Sequence, residues 1–307
     1  MNSIYRHTLG DAVKNDTLIY KEMNSSFDIT ISKTGRYIIL DRGSFSENEQ
    51  LFLHENNPFG LFERFEPVEK DVLYSLKNYK EEDCFYIRTN WNARNGCFMK
   101  APAKPTNKNL WKNIISGIDS VNLGSVIVKR NYYILLERVN GEQQIRIIDR
   151  KNGESNIIKP KLDVYALGID KSFDYDSTFF RYYYSSFMKP EAKFIYYLKN
   201  NADSAYIDTF EQKYNVKPEN YITKRLWAPT KDGKKVPMDI VYKKDLDINP
   251  QTPVYMYAYA CYGAIEEPSF NYNLKTILDR GFIFVLAHPR GESILGKQWH
   301  EDGQAFD

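Results

Sequence analysis

The run TFFRYYYSSFMKPEAKFIYYLKN, from Thr178 to Asn200, consists of two aromatic stretches separated by a short polar break. Aromatic and β-branched residues favour strands, and a short break between two such stretches favours a hairpin. The second stretch ends in the turn sequence NNAD, from Asn200 to Asp203. The run therefore predicts antiparallel β structure, and similar runs fill the first two thirds of the chain.

Strands with a similar aromatic start recur along the chain at Tyr37, Phe85, Tyr132 and Phe179, with separations of 48, 47 and 47 residues. A repeat of about 40–50 residues built from short strands is typical of β-propeller blades, each of which is a four-stranded sheet. We predict about four blades in residues 1–222, the first of which can be incomplete. A β-sandwich with evenly spaced strands is the alternative that the periodicity leaves open.

The pattern changes near Tyr221. The segment from Lys224 to Lys244 predicts a hairpin that turns at Gly233, because glycine accepts a positive φ at low cost. The apolar run VYMYAYA, from Val254 to Ala260, predicts a strand buried on both faces.

A short helix is predicted from Asn273 to Gly281, and a second buried strand follows it. Strands that alternate with a helix indicate an α/β sheet. We therefore predict a mainly β protein with a partial α/β domain: an incomplete propeller in residues 1–222 and the first strands of an α/β domain in residues 223–307.

Composition limits the partners. The chain has 42 basic and 40 acidic side chains, so its net charge of +2 predicts neither nucleic acid nor membrane as a partner. No stretch is typical of a signal peptide or a spanning helix. Three separated cysteines predict a reducing, cytoplasmic location, and four histidines without ligand spacing predict no metal.

Four motifs follow one another in the last eighty residues: W-A-x-x-x-DG-x-x-VP at Trp227–Pro237, Y-x-Y-x-x-YG at Tyr257–Gly263, ILDRGF at Ile277–Phe282, and H-x-RG…LG-x-x-W-x-EDG at His288–Gly303. Two shorter motifs lie upstream, YRHTLG from Tyr5 and YYSS from Tyr183. Together these motifs resemble the prolyl oligopeptidase family of serine peptidases, in particular its oligopeptidase B (protease II) group.

This resemblance implies a seven-bladed propeller that caps an α/β-hydrolase domain, and it makes residues 223–307 the N-terminal part of that domain. It also implies an enzyme that cleaves short peptides, after Lys or Arg in the oligopeptidase B group. It implies no cofactor. It also implies that residues 1–307 are an interior segment of a longer enzyme, and that the catalytic serine, aspartate and histidine lie after Asp307.

The chemistry of such enzymes needs a serine in a G-x-S-x-G elbow. No serine of the sequence has glycine both two residues before and two residues after it; Ser293 comes nearest and is interpreted as a loop serine. By resemblance, Tyr259 matches the tyrosine that donates its hydroxyl to the oxyanion, and Tyr262 matches a position that lines the substrate pocket. A core tyrosine is the alternative for Tyr259.

The sequence departs from the family pattern at two places. Ala258 and Ala260 replace glycines beside the tyrosine, and the glycine-rich loop R-G-G-G-E becomes Arg290-Gly291-Glu292-Ser293-Ile294. If those glycines hold positive φ, each replacement strains its loop. His300 and Cys261 have no catalytic partner at a matching position. We therefore interpret His300 as a surface or packing histidine and expect Cys261 not to act as a nucleophile.

Three functions remain open at this stage. The chain can be a truncated, inactive fragment of a serine oligopeptidase, which is the first interpretation. It can be a propeller module for interactions. It can also be one half of a split peptidase that a separate C-terminal hydrolase half completes. We expect no peptidase activity from the chain alone.

Overall fold

The computed structural model of the chain describes residues 2–170, 174–206 and 216–304. Strands are the main regular element of these residues, and the helices are short. Contacts divide the chain into two compact units, residues 1–118 and 119–307. None of the helices in the described part of the chain is long and apolar enough to cross a membrane. Within these ranges, three single-turn 3₁₀ helices connect strands, at Val13–Asn15, Lys108–Leu110 and Pro218–Asn220.

The first unit contains one two-stranded sheet and two four-stranded antiparallel sheets, which we name blade 1 and blade 2. Phe85 of blade 2 packs against Phe52 and Phe65 of blade 1, with ring centroids 5.4 Å apart in both pairs. The strands are β1 Ser3–Arg6 and β2 Thr17–Lys21; in blade 1, β3 Asp28–Thr34, β4 Tyr37–Gly43, β5 Asn48–His54 and β6 Glu63–Arg64; and in blade 2, β7 Tyr74–Lys77, β8 Phe85–Thr89, β9 Cys97–Ala101 and β10 Lys112–Ile115.

The second unit begins with two further antiparallel sheets, blade 3 and blade 4, each a simple up-and-down succession of four strands. Their shared core includes Ile134 and Ile145 of blade 3 and Phe180 of blade 4, all fully buried. The strands are, in blade 3, β11 Val121–Val128, β12 Tyr132–Val139, β13 Glu142–Asp149 and β14 Ser155–Ile158; and in blade 4, β15 Ala166–Ile169, β16 Phe179–Ser186, β17 Lys189–Tyr197 and β18 Ala202–Tyr206.

The predicted repeat is confirmed strand by strand. Tyr37, Phe85, Tyr132 and Phe179 are the first residues of β4, β8, β12 and β16, the second strand of each blade. Each blade is a complete four-stranded sheet, and the two-stranded β1–β2 sheet precedes blade 1. The 47- or 48-residue period therefore counts whole blades.

A mixed sheet follows blade 4, with strand order β19-β20-β22-β21. Its strands β21 and β22 are parallel and are joined through helix α1, whereas the other two pairs are antiparallel. Leu278 of α1 and Phe284 of β22 pack with Phe187 and Met188, which lie at the turn between β16 and β17. The elements are β19 Tyr221–Pro229, β20 Lys235–Lys243, β21 Val254–Tyr257, α1 Leu274–Leu278, β22 Ile283–Ala287 and α2 Lys297–Glu301.

The prediction of a doubly buried strand from Val254 to Ala260 is wrong. Strand β21 ends at Tyr257, and the side chains of its four residues are 41–59% exposed. Within the described residues β21 pairs with β22 alone, so it is an edge strand. Three residues after this strand the backbone turns, with a left-handed φ of 58° at Ala260.

Candidate functional site

Tyr259 and Tyr262 lie in residues 258–263, which we name the tyrosine segment, directly after the carboxyl end of β21. Their side chains are 44% and 70% exposed, so neither is a core tyrosine. Ligands of open α/β sheets commonly bind outside the carboxyl ends of the strands. A hydrogen bond with the Cys261 side chain raises the pKa of Tyr259.

The backbone of the tyrosine segment is tightly bent. Ala260 and Tyr262 have φ values of 58° and 57°, a region that costs non-glycine residues about 1–3 kcal/mol. The expected strain at replaced glycines is thus present at Ala260. In the described part of the chain, Ala258, Glu292 and Ser293 have no positive φ, so the strain does not extend to them.

Residues 290–296, which we name the glycine loop, hold the tyrosine segment in place. Gly263 donates its N–H to the carbonyl oxygen of Gly291 at 2.8 Å, and Ser293 donates its N–H to the carbonyl oxygen of Gly263 at 3.2 Å. Gly291 has a φ of 108°, and a Cβ atom there would lie 2.2 Å from the carbonyl oxygen of Ala260. Glycine is therefore required at 291.

Four charged groups, which we name the charge chain, connect the glycine loop to strands β19 and β20: Arg225, Asp239, His288 and Glu292. Arg225 donates two hydrogen bonds of 2.7 Å to the two carboxylate oxygens of Asp239. His288 contacts Asp239 Oδ2 through Nε2 at 3.2 Å and Glu292 Oε2 through Nδ1 at 2.9 Å. Asp239, His288 and Glu292 have no exposed surface.

The pKa values in the charge chain follow from this arrangement. Burial alone would raise the pKa of Asp239, but its bonds to Arg225 and His288 lower it below the usual value. Burial alone would lower the pKa of His288, but its bonds to Asp239 and Glu292 raise it. Both shifts favour the charged forms.

The charge chain also connects the mixed sheet to blade 3. Gly141, in the turn between β12 and β13, accepts hydrogen bonds from Arg225 at 2.8 Å and from Arg138 at 3.0 Å. Arg138 in turn pairs with Glu267, whose pKa is raised by burial although Arg138 opposes the shift. Two arginines on different sheets therefore share one carbonyl oxygen.

The other candidate residues lie nearby in packing roles. The ring of His300 is 4% exposed, and its Nδ1 donates to the Gly291 carbonyl oxygen at 2.7 Å. Ser293 is partly buried, and its carbonyl oxygen accepts a 3.4 Å bond from Asn122 of blade 3.

The charge chain is not predicted from the sequence. There, His288 is one position of a motif and Glu292 stands where the family has a glycine. The available signal was the pair of titratable residues at 288 and 292 directly after a buried strand; Asp239, 49 residues before His288, gives no local signal.

Comparisons with known proteins extend over the whole chain. The family profile described as "Prolyl oligopeptidase, N-terminal beta-propeller domain" matches residues 1–208. Dipeptidyl aminopeptidase BI of Pseudoxanthomonas mexicana is 30% identical over 305 residues, which are 98% of this chain and 41% of that protein. Protease 2 of Moraxella lacunata is 26% identical over 304 residues, 98% of this chain and 43% of that protein.

Solved structures agree with this fold. Oligopeptidase B from Leishmania major superposes with a TM-score of 0.87 at 25% identity, over 99% of this chain and 44% of that chain. Oligopeptidase B from Trypanosoma brucei, with covalently bound antipain, gives the same TM-score at 23% identity, again over 99% and 44% of the two chains. The 307 residues thus span about two fifths of the length of the relatives they match.

Proposed function

The chain belongs to the prolyl oligopeptidase family, and from that premise we propose that residues 1–307 form one part of a serine oligopeptidase. Residues 1–222 are its propeller blades, and residues 223–307 are the N-terminal part of its α/β-hydrolase catalytic domain. The mixed sheet supports the second assignment, because β21, α1 and β22 form a parallel crossover of the α/β kind.

In this proposal Tyr259 donates its hydroxyl to the oxyanion of the reaction, and Tyr262 contacts the substrate. The observation that carries the proposal is the position of Tyr259: it follows the carboxyl end of a parallel strand and is 44% exposed, so its hydroxyl can reach a ligand. A hydrogen-bond donor aimed at developing negative charge lowers a barrier by about 3–4 kcal/mol.

The nucleophile of this enzyme is then supplied by a C-terminal hydrolase half, on the same or on a separate polypeptide, because residues 1–307 contain no G-x-S-x-G elbow. Its proposed substrates are short peptides cleaved after Lys or Arg, as the resemblance to the oligopeptidase B group implies; the similarity to oligopeptidase B from Leishmania major supports this choice. The small number of cysteines, three in 307 residues, supports a cytoplasmic location.

The test is complementation. We would mix or co-express residues 1–307 with the C-terminal half of protease 2 from Moraxella lacunata and assay Arg, Lys and Pro endopeptidase reporters and a dipeptidyl-releasing reporter. Turnover that needs both halves and is blocked by a fluorophosphonate supports the proposal. A stable complex that hydrolyses none of the reporters would contradict it, and the preferred reporter identifies the substrate class.

A second candidate is an interaction module formed by the blades. A cavity of about 570 Å³ opens on blade 4, and its lining carries charges of both signs together with tyrosine rings, a combination that suits a peptide. Its residues include Asp170, Arg181, Tyr183, Glu191 and Lys193. Peptide binding by residues 1–307 that Arg181→Ala abolishes, measured by calorimetry without a hydrolase half, would favour this function.

A further inference from the structure

His288 lies between two carboxylates, and this position determines which of its protonation states fits. Its two ring nitrogens are 2.9 Å from Glu292 and 3.2 Å from Asp239. Ionised carboxylates only accept hydrogen bonds, and a neutral imidazole has a single N–H. Both contacts are hydrogen bonds together only when His288 is an imidazolium with two N–H groups.

The charges around His288 agree with this state. Asp239 of β20 and Glu292 of the glycine loop contact His288 directly. Arg225 of β19 pairs with Asp239. Glu267, which pairs with Arg138 of β12, interacts with the charge of His288 from a greater distance. With an imidazolium, two cations balance two anions in the charge chain. A neutral ring would leave one buried negative charge uncompensated, which is costly.

Glu292 transmits this charge pairing to the tyrosine segment. Its backbone forms a parallel bridge with Gly263, and the neighbouring Gly291 and Ser293 form both hydrogen bonds to Gly263. Its side chain is anchored by His288 through one oxygen, while the other oxygen, Oε1, is buried without a hydrogen-bond partner among the described residues. Anchoring of Glu292 thus depends on His288.

We propose that His288, as an imidazolium, and Glu292 are positioning residues that fix the tyrosine segment at the carboxyl end of β21. The catalytic part of this inference rests on the proposed function, in which Tyr259 is the oxyanion donor. Loss of the His288 proton, at a pH above the ordinary histidine value, weakens the bond to Glu292 and loosens the segment.

The first experiment uses residues 1–307 without a hydrolase half. Histidine ¹⁵N NMR follows protonation of the ring, with His288→Gln identifying its signal, and hydrogen exchange follows the amides of residues 258–263. We expect His288 to stay protonated above pH 6.5, the ordinary histidine value. We also expect Glu292→Gln to lower the pH at which it deprotonates and to increase exchange in the segment about tenfold or more, the factor for one charge-assisted hydrogen bond.

Asp279→Asn is the matched control, because it removes an acidic group of the same unit from an exposed pair with Lys275. It should change neither measurement. If Glu292→Gln does not fold, the unmodified chain still tests the proposal. Amide exchange in the tyrosine segment, relative to amide exchange in β13, should rise as His288 deprotonates. A His288 ring that is neutral at pH 6.5 would overturn the proposal, and so would amide exchange in residues 258–263 that does not change when His288 deprotonates.

The second experiment uses the complemented enzyme. Glu292→Gln should lower kcat and leave KM within about twofold, and the decline of kcat should begin at a lower pH than in the unmodified enzyme, whereas Asp279→Asn should leave both unchanged. A fall confined to KM would contradict positioning of an oxyanion donor. Complementation without turnover counts against the proposed function alone, because NMR and exchange still test the positioning.

Discussion

The carbonyl oxygen of Ala260 lies 2.2 Å from the point that a Cβ atom would occupy at Gly291. No side chain fits between the tyrosine segment and the glycine loop at this point. The close approach connects two loops that follow different strands, since Ala260 comes after β21 and Gly291 after β22.

Gly291→Ala is therefore expected to destabilise the second unit by about 2–4 kcal/mol, the sum of a strained φ and an overpacked contact. Gly153→Ala is the control, because Gly153 also has a positive φ, of 77°, but nothing lies within 4 Å of its Cβ position. Its cost should be about 1 kcal/mol. Urea unfolding measures both; equal losses would show that the contact contributes nothing.

Breaking the buried pair of Arg225 and Asp239 should be costly. Asp239→Asn leaves the Arg225 and His288 charges without their shared anion, and we expect a loss of about 3–5 kcal/mol in the free energy of unfolding. The exposed pair of Lys275 and Asp279 provides the comparison: Asp279→Asn should cost less than about 1 kcal/mol. Similar values for the two substitutions would show that burial of the pair is unimportant.

Tyr259→Phe should reduce kcat of the complemented enzyme by about 10²–10³-fold, because it removes one oxyanion donor and little volume. Tyr257→Phe is the matched control, since Tyr257 is similarly exposed, at 41%, but lies on β21 itself. Its kcat should stay within about twofold of the unmodified value in the same assay. A Tyr259→Phe enzyme with unchanged kcat would remove Tyr259 from the reaction.

Acid should weaken the first unit through Glu22. Hydrogen bonds from Arg42 lower the pKa of this buried carboxyl from 4.5 to about 2. A lowered pKa stabilises the fold above the unfolded value, and this contribution, at most about 3 kcal/mol, is lost as pH falls from about 4.5 to 2. Denaturant unfolding between pH 2 and 7 should show a smaller acid loss in Glu22→Gln. Glu63→Gln, at an exposed pair with Lys104, should retain the full loss.

The exposed edge strand β21 should promote self-association of the isolated chain. Unpaired strand edges with apolar side chains pair with other chains, and a charge on the edge opposes this. Met256→Lys, at a residue 59% exposed, should lower the apparent mass in light scattering, whereas Ile248→Lys, in a loop and 51% exposed, should not. A monodisperse unmodified chain would show that β21 does not drive association.

The sequence predicted the repeating part of the fold better than the site. Tyr37 and Phe179 mark the starts of strands because an aromatic side chain begins the second strand of each blade. The burial of β21 is not predicted correctly, because an apolar run does not show whether other elements pack against the strand. The charge chain was missed because Asp239 and His288 meet only through the pairing of β20 with β22.

The carbonyl oxygen of Gly141 is contacted by Arg138 and by Arg225 at once. Its position depends on the two-residue Asn140-Gly141 turn, in which both residues have positive φ. This one atom therefore limits how blade 3 can be exchanged between related proteins. A blade grafted from a relative with a longer turn would move the acceptor away from both guanidinium groups, so successful chimeras must transfer the turn together with its two arginines.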